Sequence, residues 1–314
     1  MHNKFYSAYF SPLVFLFALL AVSGCAASRN ISRGIDCLRF NDLNGAIEAF
    51  DRAVEVAPDF SEAYYHRGNA WALKNKYEKA IADFSRAIEI DPKYAHAYFS
   101  RATAYIDQGD EPLGLADLNK AIEINPDLTN AYFVRGLLYK KMGDTEKALA
   151  DFDQVIKIAP KEAYLGYLYR GQIYKEQNKI NLALADFSQA ISINPKDPGP
   201  YIQRAEIRLG QNRYDEAIEQ CRLALYFFPL AASAYRIRGD ALMGKKDYDL
   251  ALWNYSEAID LDADDPDLYE KRGEAWKQAG NSSAACRDFH KSCQLKKDCY
   301  QSPFSAWMAE HCRQ

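Results

Sequence analysis

The segment TNAYFVRGLLYKKMGDTEKALADFDQVIKIAPKE, residues 129–162, carries two helical stripes and a stop. Tyr132, Gly136 and Tyr139 are spaced 4 and 3 residues apart, and so are Ala148, Phe152 and Val155. That spacing puts each trio on one face of a helix. Pro160 then removes an amide and fixes φ, which ends the second helix. The segment predicts helix, turn, helix. Outward from it, arginine recurs at Arg33, Arg67, Arg101, Arg135, Arg170, Arg204, Arg238 and Arg272, at intervals of 34, 34, 34, 35, 34, 34 and 34. A fixed period of this size marks stacked helix–turn–helix units.

Eight units begin at residues 27, 61, 95, 129, 164, 198, 232 and 266. Position 4 is Tyr in seven of them, with Asn30 in the first. Position 8 is Gly, or Ala at Ala102 and Ala205. Positions 20, 24 and 27 repeat the small–large–small order, as in Ala80, Phe84 and Ala87. Small residues let two helix backbones approach, and the large ones fill the space between them. Each unit packs only on its neighbours, so 314 residues need not mean two ordinary domains.

The 39 basic and 43 acidic side chains nearly balance, with no basic stripe of the kind that neutralises phosphates. Nucleic acid is therefore not an expected partner. No phosphate-binding loop, HExxH or GxSxG occurs, so the chain reads as non-enzymatic, with no cofactor and no small-molecule substrate. Of the histidines, His66 reads as a surface residue of a helix and His96 as a groove residue able to meet a ligand.

The repeat resembles the tetratricopeptide repeat family. The resemblance implies an all-α right-handed solenoid of eight repeats, closed by a C-terminal capping helix. One departure is systematic: the family usually has Leu at position 7, where this chain has Arg. Position 23 supplies Asp in five units. The two columns suggest interhelical pairs Arg67–Asp83, Arg101–Asp117, Arg135–Asp151, Arg170–Asp186 and Arg272–Asp288. An arginine ladder for anionic ligands is the other reading of that column. Gln220 and Asn254 replace the acid in two units.

The resemblance also implies a concave groove lined by positions 2, 5, 9 and 12. Ile31, Tyr65, Phe99, Ile106, Phe133, Leu137, Leu168 and Ile202 are its apolar candidates, and Arg236 and Glu270 make it charged over repeats 7 and 8. An exposed apolar groove suits a partner's peptide or helix. The alternative is that the position-5 aromatics pack on their own neighbours. The Lys and Asn pattern of a carboxylate clamp is missing, with Asn69 alone at position 9.

Cys286, Cys293, Cys299 and Cys312 crowd the last 29 residues. In an oxidising compartment they are expected to pair, in any of three connectivities; the preferred first bond is Cys293–Cys299, across a short loop, with Cys286–Cys312 as the second, pinning a helix over 302–311. Zinc, with His290 and His311, is the rival, although no paired CxxC spacing supports it. Cys37 and Cys221 fall at core positions.

At the other end, Leu13 to Val22 is an apolar run too short to span a bilayer and the right length for a secretory signal. Val22-Ser23-Gly24-Cys25 resembles the bacterial lipobox, whose cysteine is lipidated. Cleavage after Ala27 and a retained anchor are the alternatives. Residue 26 is Ala, which by the same resemblance favours the outer membrane.

The expected organisation is a signal peptide over 1–24, a lipid-anchored start at 25–26, eight repeats over 27–299 and a cap over 300–314. The expected function is a scaffold on the periplasmic side of a bacterial outer membrane. It would hold a protein partner in its groove and the membrane through Cys25. A secreted or cytosolic adaptor without the anchor is the alternative.

Overall fold

The computed structural model describes residues 12–296 and 304–312, with side chains from Gly24 onward. Two compact units divide the chain, residues 1–154 and 155–314. Among the described residues all regular structure is α-helical, in 17 helices.

The first unit contains α1 (Pro12–Arg39), α2 (Leu43–Val56), α3 (Ser61–Leu73), α4 (Tyr77–Ile90), α5 (Ala95–Gln108), α6 (Glu111–Ile124) and α7 (Thr129–Lys141), and it ends within α8 (Thr145–Ile158). The second contains α9 (Tyr164–Glu176), α10 (Ile180–Ile193), α11 (Pro198–Gly210), α12 (Tyr214–Phe227), α13 (Ala232–Gly244), α14 (Tyr248–Leu261), α15 (Pro266–Gln278), α16 (Ser282–Lys296) and α17 (Ser305–His311). Within each unit consecutive helices pack on one another.

The pairs are antiparallel, as the register of contacts shows. A Cβ on Gly68, position 8, would sit 2.7 Å from the Phe84 ring at position 24. A Cβ on Gly114, position 20, would sit 2.6 Å from Ile106 at position 12. The two position numbers add to the same total in both contacts, which requires opposed directions. The close approach also explains the composition of the column. Glycine stands opposite an aromatic ring, as in Gly136 and Phe152 or Gly239 and Tyr255. Where position 8 is alanine, position 24 has shrunk: Ala102 packs in one core cluster with Leu118, and Ala205 in another with Cys221. Volume lost on one helix is returned by the other, as close-packed interiors require.

The turn inside each pair has its own rule. Position 15 is left-handed in all eight repeats: Asn41, Asn75, Asn178 and Asn212 at φ 56–59°, Gly109, Gly143 and Gly280 at φ 80–90°, and Lys246 at φ 63°. Asn and Gly tolerate this region, which explains seven of the eight residues. The following residue caps the next helix in several repeats; the Asp42 carboxylate accepts from the Gly45 amide at 2.9 Å.

At the C-terminal end Cys286 and Cys312 are joined, with Sγ atoms 1.99 Å apart. Phe289 stacks on Phe304 at 4.2 Å and meets the Trp307 ring edge-on at 5.6 Å. This ties α17 to the last repeat. Cys293 is buried; Cys299, its expected partner, lies outside the described residues, as do 300–303 and 313–314 of the expected cap. His311 stacks on Trp307 at 4.7 Å.

Candidate functional site

The position-7 arginines meet their acids. Arg67 donates through Nε and Nη2 to the two Asp83 oxygens at 2.8 and 2.7 Å. Arg101–Asp117, Arg135–Asp151, Arg170–Asp186 and Arg272–Asp288 repeat this two-point geometry at 2.7–2.9 Å. All five aspartates are buried. The third arginine nitrogen reaches back to the preceding repeat: Arg67 to Asp51, Arg101 to Ser85, Arg135 to Asn119, Arg272 to Ser256. A position-4 tyrosine ring lies under the guanidinium, at 5.5 Å for Arg135 and Tyr132. Hydrogen bonding to its aspartate raises the pKa of Arg67, Arg101, Arg135 and Arg272 above the ordinary arginine value.

The column is not uniform. Arg33 is exposed, and position 23 of its repeat is Ala49 in place of an acid. Arg204 Nε and Gln220 Oε1 are both buried without a hydrogen-bond partner. Arg238 makes one bond to Asn254 Oδ1 at 2.5 Å. Burial therefore lowers the pKa of Arg204 and Arg238, and the weaker pull of Glu216 on the first and Glu257 on the second does not offset it.

The groove candidates divide by burial. Tyr65, Phe99, Ile106, Phe133, Leu137 and Ile202 are half-buried. Ile31 is only 8% exposed, packed with Ala46 and Ala63, and Leu168 only 7%, packed with Phe187 and Ile207. Those two are core side chains and line no open groove. Part of each aromatic is also committed inward: Tyr65 meets Tyr94 at 5.0 Å and Phe84 at 6.1 Å, and Phe133 meets Phe152 at 6.0 Å. His66 is half-buried against Phe50 at 5.7 Å, contrary to its reading as a surface residue, because the Phe50 ring fills the interface there. His96 is exposed.

In the second unit the charged stretch begins earlier than the sequence suggested. Lys175 donates to Glu206 at 2.5 Å, Arg236 lies 3.6 Å from Glu206 and 3.3 Å from Asp240, and Lys271 donates to Asp240 at 2.8 Å. The Tyr255 hydroxyl also donates to Asp240 at 2.8 Å. Cations and carboxylates alternate over repeats 5 to 8 and largely neutralise one another. The signal for this chain of ion pairs was the alternation of sign at positions 5, 6, 9 and 12, visible only once neighbouring repeats are set side by side. Cys25 lies within α1 and is exposed.

With the geometry in hand, the comparisons add the family. The tetratricopeptide repeat profile matches residues 61–94, 129–162 and 164–197, a second tetratricopeptide repeat profile matches 95–128, and a TPR repeat profile matches 239–280. The chain belongs to the tetratricopeptide repeat family. No curated protein matches it. Among solved structures, the APC/C hetero-tetramer Cut9–Hcn1 is similar with a TM-score of 0.61 and 14% identity, over 99% of this chain and 57% of that one. The yeast Tom70 structure is similar at 0.52 and 19%, over 90% of this chain and 63% of that one. The MamA structure gives 0.47 and 24%, over 52% of this chain and 95% of that one. The likenesses to Cut9–Hcn1 and Tom70 show the fold. Tetratricopeptide repeats generally bind other proteins, and this tetratricopeptide repeat protein has the build of a protein-interaction scaffold. Among its described residues no helix is long and apolar enough to cross a membrane.

Proposed function

We propose that this tetratricopeptide repeat protein is a lipid-anchored envelope scaffold. In this reading Cys25 carries the lipid on the periplasmic face of a bacterial outer membrane, and the inner face of the repeats takes a peptide or helix of a partner. The observation that carries the binding part is the recurrence of half-buried aromatics at one position of three consecutive first helices: Tyr65, Phe99 and Phe133. Each ring is anchored by its inner side and keeps an open edge, an arrangement that presents apolar area without mobile side chains. The anchor rests on Val22-Ser23-Gly24-Cys25 and on the exposure of Cys25 two residues before Ala27, which is fully buried. A tether at Cys25 would leave almost no spacer between lipid and folded repeats.

The test combines two readouts in the native cell. Labelled fatty acid should enter the wild type and not Cys25→Ser. Crosslinking with mass spectrometry should recover envelope proteins with the wild type and lose them with Tyr65→Ala, Phe99→Ala, Phe133→Ala. Labelling that ignores Cys25 sinks the anchor, and partners that survive the triple variant sink the groove.

A further inference from the structure

One inter-repeat connection departs from all the others. At position 29 the remaining six connections carry Glu55, Glu89, Glu123, Lys157, Ser192 and Asp260, and at position 33 every one carries a charge. The connection between α12 and α13 carries Tyr226 and Leu230 there, with Phe228 between them. These three side chains are 73%, 65% and 47% exposed. Folding does not require them, since six sister connections close without them. Phe227 does the structural work, stacking on Tyr201 at 6.2 Å, while Tyr226 rests edge-on against Phe227 at 5.0 Å and leaves its ring in solvent. Exposed apolar side chains concentrated in five residues of a charged protein mark a contact surface.

The neighbouring connection says what chemistry would cover it. At the end of α14 and in the loop before α15, Asp260, Asp262 and Asp264 are exposed, and among the described residues no lysine or arginine forms a salt bridge with them, although Asp260 lies within the field of Arg272. The two connections are neighbours: Tyr235 packs against both the core cluster that includes Ala231 and the one that includes Ile259 and Leu268. The connection on the other flank carries one cation and one carboxylate, Lys196 and Asp197, and so no net charge. An apolar patch bordered on one side by exposed carboxylates that form no salt bridge complements a ligand that is apolar and cationic.

We propose that Tyr226, Phe228 and Leu230 with Asp260, Asp262 and Asp264 form a docking edge for a basic amphipathic segment of a partner protein. The apolar side chains of the segment cover the aromatic patch and its lysines or arginines face the three aspartates. This rests on the reading of the chain as a protein-interaction scaffold, but not on the inner groove.

A fluorescent helical peptide built from leucine and lysine is the probe, with its glutamate-for-lysine counterpart as control, titrated against the full chain. The patch variant Tyr226→Ser, Phe228→Asn, Leu230→Ser removes the apolar side chains without changing the charge, and Ser192 and Asn194 already stand at the first two of these positions in the repeat-5 connection, so its thermal unfolding should match the wild type. The basic probe should bind the wild type, weaken at least about tenfold on the patch variant, and weaken with loss of salt dependence on Asp260→Asn, Asp262→Asn, Asp264→Asn. Tyr65→Ala, Phe99→Ala, Phe133→Ala should leave this binding intact. Equal binding of the acidic control, or binding that both edge variants retain, overturns the docking edge; if only the aromatic triple variant loses the probe, the groove stands and the edge falls. Capture by neutral lipid vesicles, or concentration-dependent dimerisation, that the patch variant abolishes would reassign the patch to a lipid surface or a second copy and likewise overturn the proposal.

Discussion

Arg135 and Asp151 meet through two parallel hydrogen bonds, 2.9 and 2.7 Å long, with Asp151 only 5% exposed along its side chain. A carboxylate this deep has exchanged water for one guanidinium. Removing either partner strands the other, whereas removing both leaves an apolar contact. Arg135→Leu or Asp151→Leu should each lower stability by about 3 kcal/mol, and the double variant should cost little more than either alone. Denaturant unfolding of the cycle reads this directly; additive losses would falsify the pair.

Repeat 6 offers the converse experiment. Arg204 Nε and Gln220 Oε1 are buried and unbonded, and Asp occupies the Gln220 position in five sister repeats. Gln220→Asp should supply the missing acceptor and raise stability by about 1 kcal/mol. An unchanged or lowered midpoint in the same unfolding assay would mean that Arg204 is already satisfied.

The trade of volume between positions 8 and 24 makes a third case. Leu118→Phe places a ring against Ala102, where the sister repeats that carry a ring have glycine, and overpacking of this kind costs about 1–3 kcal/mol. Ala102→Gly alone costs about 1 kcal/mol as a helix-interior glycine. Together they should recover most of the loss, giving a coupling that two independent substitutions lack. Calorimetry of the four proteins separates the outcomes.

Most of this architecture was legible in the sequence because each repeat reports the same physics again. Arg135 and Asp151 announce a pair only because Arg67 and Asp83 stand at the same two positions. What the sequence concealed were features defined by departure or by adjacency. Ile31 and Leu168 share a position with Tyr65, Phe99 and Ile202, but their own neighbours, Ala46 and Ala63 around the first and Phe187 and Ile207 around the second, close over them, which the residue type alone does not reveal. The left-handed position 15 reads as a mixed column of Asn, Gly and Lys246 until φ is known. The ion pairs linking Lys175, Glu206, Arg236, Asp240 and Lys271 belong to no single repeat.

His66 gives the pH dependence. Burial beside Phe50 holds its pKa below the ordinary 6.5, so the unfolded chain binds the proton more tightly than the folded one. Stability is therefore retained in full above about pH 6.5 and lost as pH falls from there through the folded value. His66→Phe should flatten that part of the profile, measured as unfolding midpoint between neutral and mildly acidic pH. If the slope is the same with and without the imidazole, other groups account for it.

The matching of position 8 to position 24 bears on how such a chain can change its length. A cut between one repeat's second helix and the next repeat's first moves glycine and its ring together, or alanine and its smaller neighbour together. A cut inside the turn would join the first helix of one repeat to the second helix of another and could set Ala102 against a phenylalanine. Duplication and deletion of whole repeats thus leave this match intact at one boundary and break it at the other. The grammar of the array, and not only its vocabulary, is written into the interior of each pair.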